Sequence, residues 1–250
     1  MTFMNALALG AMSACAVVGG AAYASVAPRC SLWGRVVYRG DPARSAGAYA
    51  LTFDDGPTAE STPRVLDTLA RLGAKATFFV VGANARRHPD IVRRIHDEGH
   101  VVANHTMDHS HYGMMRAQRY WDRQLRETDE LLGSIIGVKP ALFRPPMGVR
   151  TWHVAIAARR YGHTIVTWSR RAMDGFPTTA ERIVNRLAGP AVAGDILILH
   201  DGVEPNMRGR DPSASVAAVA PVVEGLRARG LEPRSLEELT GVRPYAAPPG

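Results

Sequence analysis

An α/β fold with a parallel sheet is predicted by three features of this 250-residue chain. From Tyr49 onward, short apolar runs alternate with amphipathic helical patterns about six or seven times, as crossover helices between parallel strands require. Residues able to do chemistry sit at the carboxyl ends of several different runs, where β/α barrels gather their catalytic groups. Hydrophobic residues make up 46% and charged residues 21% of the chain, enough apolar material for a sizeable core. An open doubly wound sheet fits the alternation too; the strand-end polar residues favour a closed or nearly closed barrel.

No charged side chain occurs between Met1 and Pro28, and Ala6 to Ala27 is apolar, built mostly of Ala, Gly and Val. The length suits a membrane span. It also suits a signal peptide with Ala22-Tyr23-Ala24 as its small-x-small cleavage site, although no Lys or Arg precedes the run. Arg29, Arg35, Arg39 and Arg44 follow it, which favours retention of the main domain in the cytoplasm if the segment stays in place. The expectation is a cell-envelope protein, membrane-anchored or secreted, with the cytoplasmic face as the alternative. Residues 1–28 are set apart from the fold, 29–47 are expected as a linker, 48–240 as the catalytic domain and 241–250 as a Pro-rich loose tail.

Within the domain, Tyr49 to Phe53 reads as a strand. Thr62-Pro63 then gives an N-cap and a proline at the first helical position, Val65, Leu66, Leu69 and Leu72 form one apolar face, and Gly73 ends the helix. Ala76 to Val81 reads as strand, Pro89 to Glu98 as helix stopped by Gly99, and Val101 to Ala103 as strand. A charged helix is expected over Met114 to Leu132, then strand at Ala141 to Phe143, helix at Thr151 to Arg160 and strand at Thr164 to Trp168. Thr178 and Glu181 have capping-box spacing ahead of Ile183, Val184 and Leu187. Ile196 to Leu199 reads as strand and Ser215 to Arg229 as the last helix.

The formal net charge is +7, carried almost entirely by arginine, with Lys75 and Lys139 the only lysines. These arginines are scattered, as in Arg86, Arg87, Arg93 and Arg94, without a dense basic block interleaved with aromatics; nucleic acid is therefore not expected as a partner. Cys15 and Cys30 supply neither a disulfide framework nor a thiolate metal site.

Five segments carry chemistry. Asp54-Asp55 closes an apolar strand before a Gly-Pro turn; one carboxylate can bind a metal while its neighbour faces a substrate, and a polar turn is an equal reading of the pair alone. His105 and His109 are spaced to share an ion if they lie on one face, with Asp108 as another candidate ligand and His111 close by. One aspartate and two histidines would leave an open coordination position, from which an ion polarises a carbonyl and acidifies water. Arg144-Pro145-Pro146-Met147-Gly148 is a stiff loop in which Arg144 can clamp a carboxylate and the Met147 N–H can stabilise an oxyanion; alone it reads as an ordinary loop. Trp168-Ser169 precedes Asp174, and His200 follows Ile198-Leu199; Asp174 can orient His200 as a proton donor. Trp168, Met147 and Leu199 are candidate walls for a small acyl group, with core residues an equal reading for Trp168 and Leu199.

In order, Thr52 to Gly56, His105 to His109, Arg144 to Gly148, Trp168 to Asp174 and Ile198 to His200 resemble the five motifs of the polysaccharide deacetylases, the NodB-homology or family 4 carbohydrate esterases. The resemblance runs from about Ala48 to Leu239. It implies a distorted (β/α)7 barrel in which Asp55, His105 and His109 hold one divalent metal ion, zinc foremost and Co2+ or Ni2+ as substitutes. It implies Asp54 as general base held by Arg144, His200 as general acid held by Asp174, and the Met147 N–H as oxyanion donor. The implied reaction is removal of acetyl from the nitrogen of an amino sugar in an N-acetylated glycan, with acetate released; a monomer is expected. Two positions depart from the pattern: Met147 stands where the family often has tyrosine, and Ser169 where many members have an acidic residue. An O-acetyl esterase acting on acetylxylan-type glycans and an inactive glycan-binding relative are the alternatives.

Overall fold

The strand expected at Tyr49–Phe53 runs from Ala48 to Asp54 in a computed structural model that describes residues 19–20, 22–207 and 210–247, and all seven of its residues are buried. The elements follow as β1 (Val36–Val37), β2 (Ala48–Asp54), α1 (Thr62–Leu72), β3 (Thr77–Val80), α2 (Gly82–Arg87), α3 (Pro89–Asp97), β4 (Val101–Asn104), α4 (Gln118–Ile136), β5 (Leu142–Phe143), α5 (Trp152–Arg160), β6 (Thr164–Val166), β7 (Arg170–Arg171), α6 (Ala180–Leu187), β8 (Ile196–His200), α7 (Ser213–Arg227), β9 (Glu232–Pro233) and α8 (Leu236–Thr240). The sheet has the order β1-β6-β5-β4-β3-β2-β8-β7, with β9 beside the start of β2, and every ladder is parallel. Among the described residues no ladder joins β1 to β7, so the barrel is curled but open along that seam. Asp195 stitches its lower end: the carboxylate accepts from Arg39 at 2.8 Å, Arg170 at 2.7 Å and the Ser169 hydroxyl at 2.8 Å.

Strand parity sorts the core. Successive side chains of a strand point to opposite faces. Tyr49, Leu51 and Phe53 of β2 join Phe78, Val102, Leu197 and Leu199 in the layer between sheet and helices. Ala48 and Ala50 join Phe79, Ala103, Val166 and Ile196 in the barrel interior. Thr52 and Asp54 continue the interior row upward, and so do Ile198 and His200 on β8, whose register sets Asp54 beside His200. The two signature residues therefore reach the same rim by alternation alone.

Helix ends follow the local chemistry. Pro63 opens α1, and Gly73 closes it at φ 59°, donating to the carbonyls of Ala70 and Leu69. Several expected boundaries need correction. The helix expected from Met114 begins at Gln118, after a single 3-10 turn at Gly113–Met115. The cap of α6 is Thr179, which accepts from the Arg182 N–H, and not Thr178, so the capping-box spacing was one residue out of register. Residues 29–47, expected as linker, include β1. The tail is docked over Pro244–Ala246: Ala141 N–H donates to Pro244 O, Ala246 N–H to Lys139 O, and the Tyr245 hydroxyl accepts the Val102 N–H at 3.1 Å. The ladder between β4 and its short neighbour β5 begins only at Asn104, so Tyr245 takes the place of a missing strand partner. Of the apolar segment, residues 1–18 and 21 lie outside the described residues. No helix among the described residues is long and apolar enough to cross a membrane.

Replacing Tyr245 by Phe strands a buried backbone donor, which costs about 1–3 kcal/mol. Denaturant unfolding of Tyr245→Phe is expected to show that loss; an unchanged midpoint would leave the tail without a structural role.

Candidate active site

β2 ends in two consecutive carboxylates because its rim residue, Asp54, continues the interior row while the next residue turns. Asp55 adopts φ 73°, and that left-handed step swings its side chain away from the Asp54 direction. Among the described residues, the non-glycine residues with positive φ are Asp55, Thr106, His109, Met147 and Met173. All five belong to the rim segments, where backbone strain is held in place by surrounding contacts.

Asn104 and Gln124 supply those contacts for the histidine segment. Asn104 Oδ1 accepts from the Thr106 N–H at 2.8 Å, and its amide donates to Asp129 at 2.8 Å and to Leu125 O at 3.1 Å. Gln124 Oε1 accepts from the N–H groups of Met107 and Asp108. Asp108, a candidate ligand on sequence, is held by Tyr120 Oη at 2.7 Å and Gln124 Nε2 at 2.9 Å. It is not among the groups that could share an ion with Asp55.

One oxygen of Asp55 and one ring nitrogen each of His105 and His109 lie within 4.8 Å of one another. Asp55 Oδ1 is 3.5 Å from His105 Nε2 and 3.3 Å from His109 Nε2. A tetrahedral ion with ligand bonds of 2.0–2.1 Å sets its ligand atoms about 3.4 Å apart. Asp55 Oδ1 is also a buried oxygen with no hydrogen-bond donor among the described residues. The tautomer of His105 fits as well. Its Nδ1 lies 2.6 Å from Arg144 O, a carbonyl that can only accept, so Nδ1 carries the proton and the Nε2 lone pair faces Asp55. These residues fit a divalent cation.

Asp54 faces the same space from the other side. Its Oδ1 accepts from Arg144 Nη1 at 2.6 Å, and its Oδ2 is 3.7 Å from His105 Nε2. Arg144 is fully buried; it also donates to Thr52 Oγ1, Val166 O and Thr167 O, and its guanidinium lies 3.9 Å from the Phe79 ring centroid. Across the cavity, His200 Nδ1 lies 2.8 Å from Asp174 Oδ1, while Asp174 Oδ2 accepts from the His200 N–H and the Ser215 hydroxyl. Burial alone would push the His200 ring down, but the Asp174 carboxylate overcomes it and holds the imidazole up at about 9. For Asp55, burial acts upward, yet His109, His105 and His200 together bring its carboxyl well below the ordinary carboxylate range.

The turns after β2 and β8 interlock, which fixes the two halves of the site relative to each other. A Cβ on Gly56 would fall 2.2 Å from Asp201 Oδ2, and one on Gly202 would fall 2.5 Å from Gly56 Cα. Asn84 donates to Asp55 O at 2.8 Å and to Val203 O at 2.9 Å, joining the same turns from α2.

A cavity of about 400 Å3 opens over these groups, lined by Met147, Trp168, Phe176 and Ile198 as well as the polar residues. Met147, at φ 54°, donates its backbone N–H to no group among the described residues. Gly148 admits the Trp168 ring, which a Cβ there would meet at 2.6 Å. Leu199 must be corrected. It is buried in the layer between sheet and helices, and Ile198, of the same parity as His200, faces the cavity instead.

Two site residues escaped sequence analysis. Glu204 Oε2 lies 3.1 Å from His109 Nδ1 and 2.5 Å from His111 Nε2, and Arg210 Nη1 lies 2.9 Å from Asp55 Oδ2. Both come from the loop after β8, which has no apolar periodicity and an arginine like many others in the chain. Glu204 sits where an outer carboxylate orients a metal-binding imidazole.

Comparison with known proteins finds similar chains and similar folds. Residues 41–166 match the family model described as polysaccharide deacetylase. A peptidoglycan-N-acetylglucosamine deacetylase of Bacillus cereus is 38% identical over 196 residues, covering 76% of this chain and 86% of the relative. A second B. cereus protein of that name is 35% identical, covering 72% of this chain and 64% of its own length, so this chain spans just under two thirds of it. A chitooligosaccharide deacetylase of Bradyrhizobium is 33% identical, covering 80% and 93%. Among solved structures, a peptidoglycan N-acetylglucosamine deacetylase superposes with TM-score 0.78 at 30% identity, covering 84% and 95%. A family 4 carbohydrate esterase from Streptomyces lividans, in complex with acetate, gives 0.70 at 30% identity, covering 82% and 100%.

Loss of an outer carboxylate weakens metal binding by about 10- to 100-fold. Glu204→Gln is therefore expected to weaken zinc affinity by about tenfold or more in a chelator competition, while His105→Ala binds no stoichiometric zinc. Wild-type affinity in Glu204→Gln would remove Glu204 from any role at His109.

Proposed function

The chain belongs to the polysaccharide deacetylase family, and from that premise we propose that it is a divalent-metal-dependent hydrolase removing N-linked acetyl groups from the amino sugars of a glycan. The observation that carries the reading is the convergence of Asp55, His105 and His109 beside Asp54, with His200 across the same cavity. Asp55, His105 and His109 would hold the ion; an Asp-His-His set with an open position suits zinc, with cobalt or nickel as substitutes. When bound, the ion supplies Lewis acidity toward an acyl carbonyl and toward water.

The remaining steps belong to the protein's own groups. Asp54, fixed by Arg144 at 2.6 Å, takes a proton from the attacking water. The Met147 N–H donates to the carbonyl oxygen as negative charge develops on it. His200, kept protonated by Asp174, donates to the departing nitrogen. An amine leaves poorly unless protonated, which is the role a proton donor at His200 would fill. The named relatives act on peptidoglycan N-acetylglucosamine and on chitooligosaccharides, and this chain's substrate is proposed from that class.

Acetate release from acetylated chito-oligosaccharides, peptidoglycan and acetylxylan distinguishes the readings. Release from the first two supports the proposal, release from acetylxylan alone would favour the esterase, and none from a zinc-loaded protein would favour an inactive relative. Asp54→Asn is expected to keep its zinc and lose turnover by about 100-fold or more; unchanged turnover would remove Asp54 from its role.

A folded-state value above the ordinary imidazole value of 6.5 means that the His200–Asp174 contact stabilises fully below that pH and is lost as pH rises through about 9. In the metal-free protein, NMR titration of the His200 ring should show its proton retained to about pH 9, and Asp174→Asn should return the midpoint toward 6.5. A wild-type midpoint near 6.5 would refute the assignment.

A further inference from the structure

Away from the catalytic cavity, two adjoining grooves share Trp33 and Trp152. Leu32 and Ile156 line the first, of about 430 Å3, and Met114 and Met115 line the second. Leu32 is 63% exposed, Met115 79% and Trp152 60%, so this is a continuous apolar surface facing solvent. Exposed apolar patches of this kind mark binding faces. Arg35, Arg116 and Arg159 border it, no carboxylate lines either groove, and none of the three arginines has an ion-pair partner among the described residues. Arg94 and Arg160 are paired with acids, whereas Arg64, Arg86, Arg87 and Arg123 are likewise in no ion pair among the described residues, so the apolar groove lining, and not the lack of pairing, sets this face apart.

The same face receives the end of the uncharged apolar stretch of the sequence, Ala6 to Ala27. Arg150 fixes that point. Its backbone N–H donates to Ser25 O at 2.9 Å, and its guanidinium donates to Ala24 O, Ala27 O, Pro28 O and Cys30 O. Trp33 Nε1 then donates to Ser25 Oγ at 3.1 Å, tying the groove tryptophan to the place where the apolar stretch joins the body.

We propose that this face docks on an anionic lipid bilayer, with Trp33, Trp152, Met115 and Leu32 at the acyl boundary and Arg35, Arg116 and Arg159 on the headgroups. Tryptophans at headgroup depth and unpaired arginines around an apolar centre are the chemistry of an interfacial face. The described end of the apolar stretch, held at Ala24 to Ala27 by Arg150 beside this face, points to the same occupant. A glycan would use the tryptophans but not three unpaired cations, and a second copy of this basic chain would set like charges against each other. The turn Gly113–Met115 of this face follows His109 and His111, which line the catalytic cavity, within a few residues of chain.

Tryptophan emission of the full chain, read with vesicles containing brominated lipid, tests the proposal. With phosphatidylcholine–phosphatidylglycerol vesicles, wild-type emission is expected to fall by about a third or more, since Trp121 is buried and Trp168 lies in the catalytic cavity. Trp33→Phe/Trp152→Phe should abolish the quenching and keep its hydrolysis of soluble chito-oligosaccharide, which reports an intact fold. Arg35→Glu/Arg159→Glu should reduce quenching at least about threefold. Three results would overturn the proposal: no quenching in the wild type, quenching that persists in the double tryptophan variant, or unchanged quenching in the charge-reversed variant. Two further results would do so by assigning the face elsewhere. One is an emission change with soluble chito-oligosaccharide alone that Trp33→Phe/Trp152→Phe removes. The other is a dimer by analytical ultracentrifugation that Trp152→Glu converts to monomer.

Discussion

The buried contact between Arg144 and Asp54 is the constraint on which the site depends. A guanidinium with no exposed surface is tolerated only when its donors are satisfied, and here they reach Asp54, Thr52 and the carbonyls of Val166 and Thr167. Those partners lie on β2 and at the end of β6, so one side chain ties two sides of the barrel across its interior. The Arg144 carbonyl also accepts from His105, so the residue that fixes the proposed base also fixes the tautomer of a proposed metal ligand. Removing either charge of such a pair leaves the other buried and uncompensated.

Around this centre the rim is built by paired turns instead of by regular structure. Asp55-Gly56 and Asp201-Gly202 lie in contact, and neither glycine has room for a methyl group. Five non-glycine residues with left-handed backbone occur in the same rim segments. Each re-aims a side chain or an N–H that regular strand geometry would direct elsewhere, and Asn104, Gln124 and Asn84 hold those turns by side-chain bonds to their backbone.

The charges of the cavity are balanced in complementary pairs. Asp174 keeps His200 protonated, Glu204 stands behind His109, and Arg210 meets the outer oxygen of Asp55. The inner oxygen of Asp55 is left to two imidazole lone-pair positions, an arrangement suited to a cation. The placement of Asp54 relative to His200 follows from β2 and β8 being hydrogen-bonded neighbours that end at the same level.

By itself the sequence determined the α/β alternation, the long strands β2, β3 and β8, the glycine stop of α1, and the chemical identity of Asp54, Asp55, His105, His109, Arg144, Asp174 and His200. These were legible because apolar periodicity and short motifs are local, and local pattern survives without knowledge of the partners. The two-residue strands β1, β7 and β9 left no such pattern; their pairing is supplied by longer neighbours. Strand alternation counted from His200 already turns Leu199 outward and Ile198 inward; only the tertiary structure held Asp108 away from Asp55, His105 and His109, docked Tyr245 against β4, and brought Glu204 and Arg210 to the cavity. Each of those outcomes depends on which residue a side chain meets from a distant part of the chain, and spacing along the sequence carries no information about that distance.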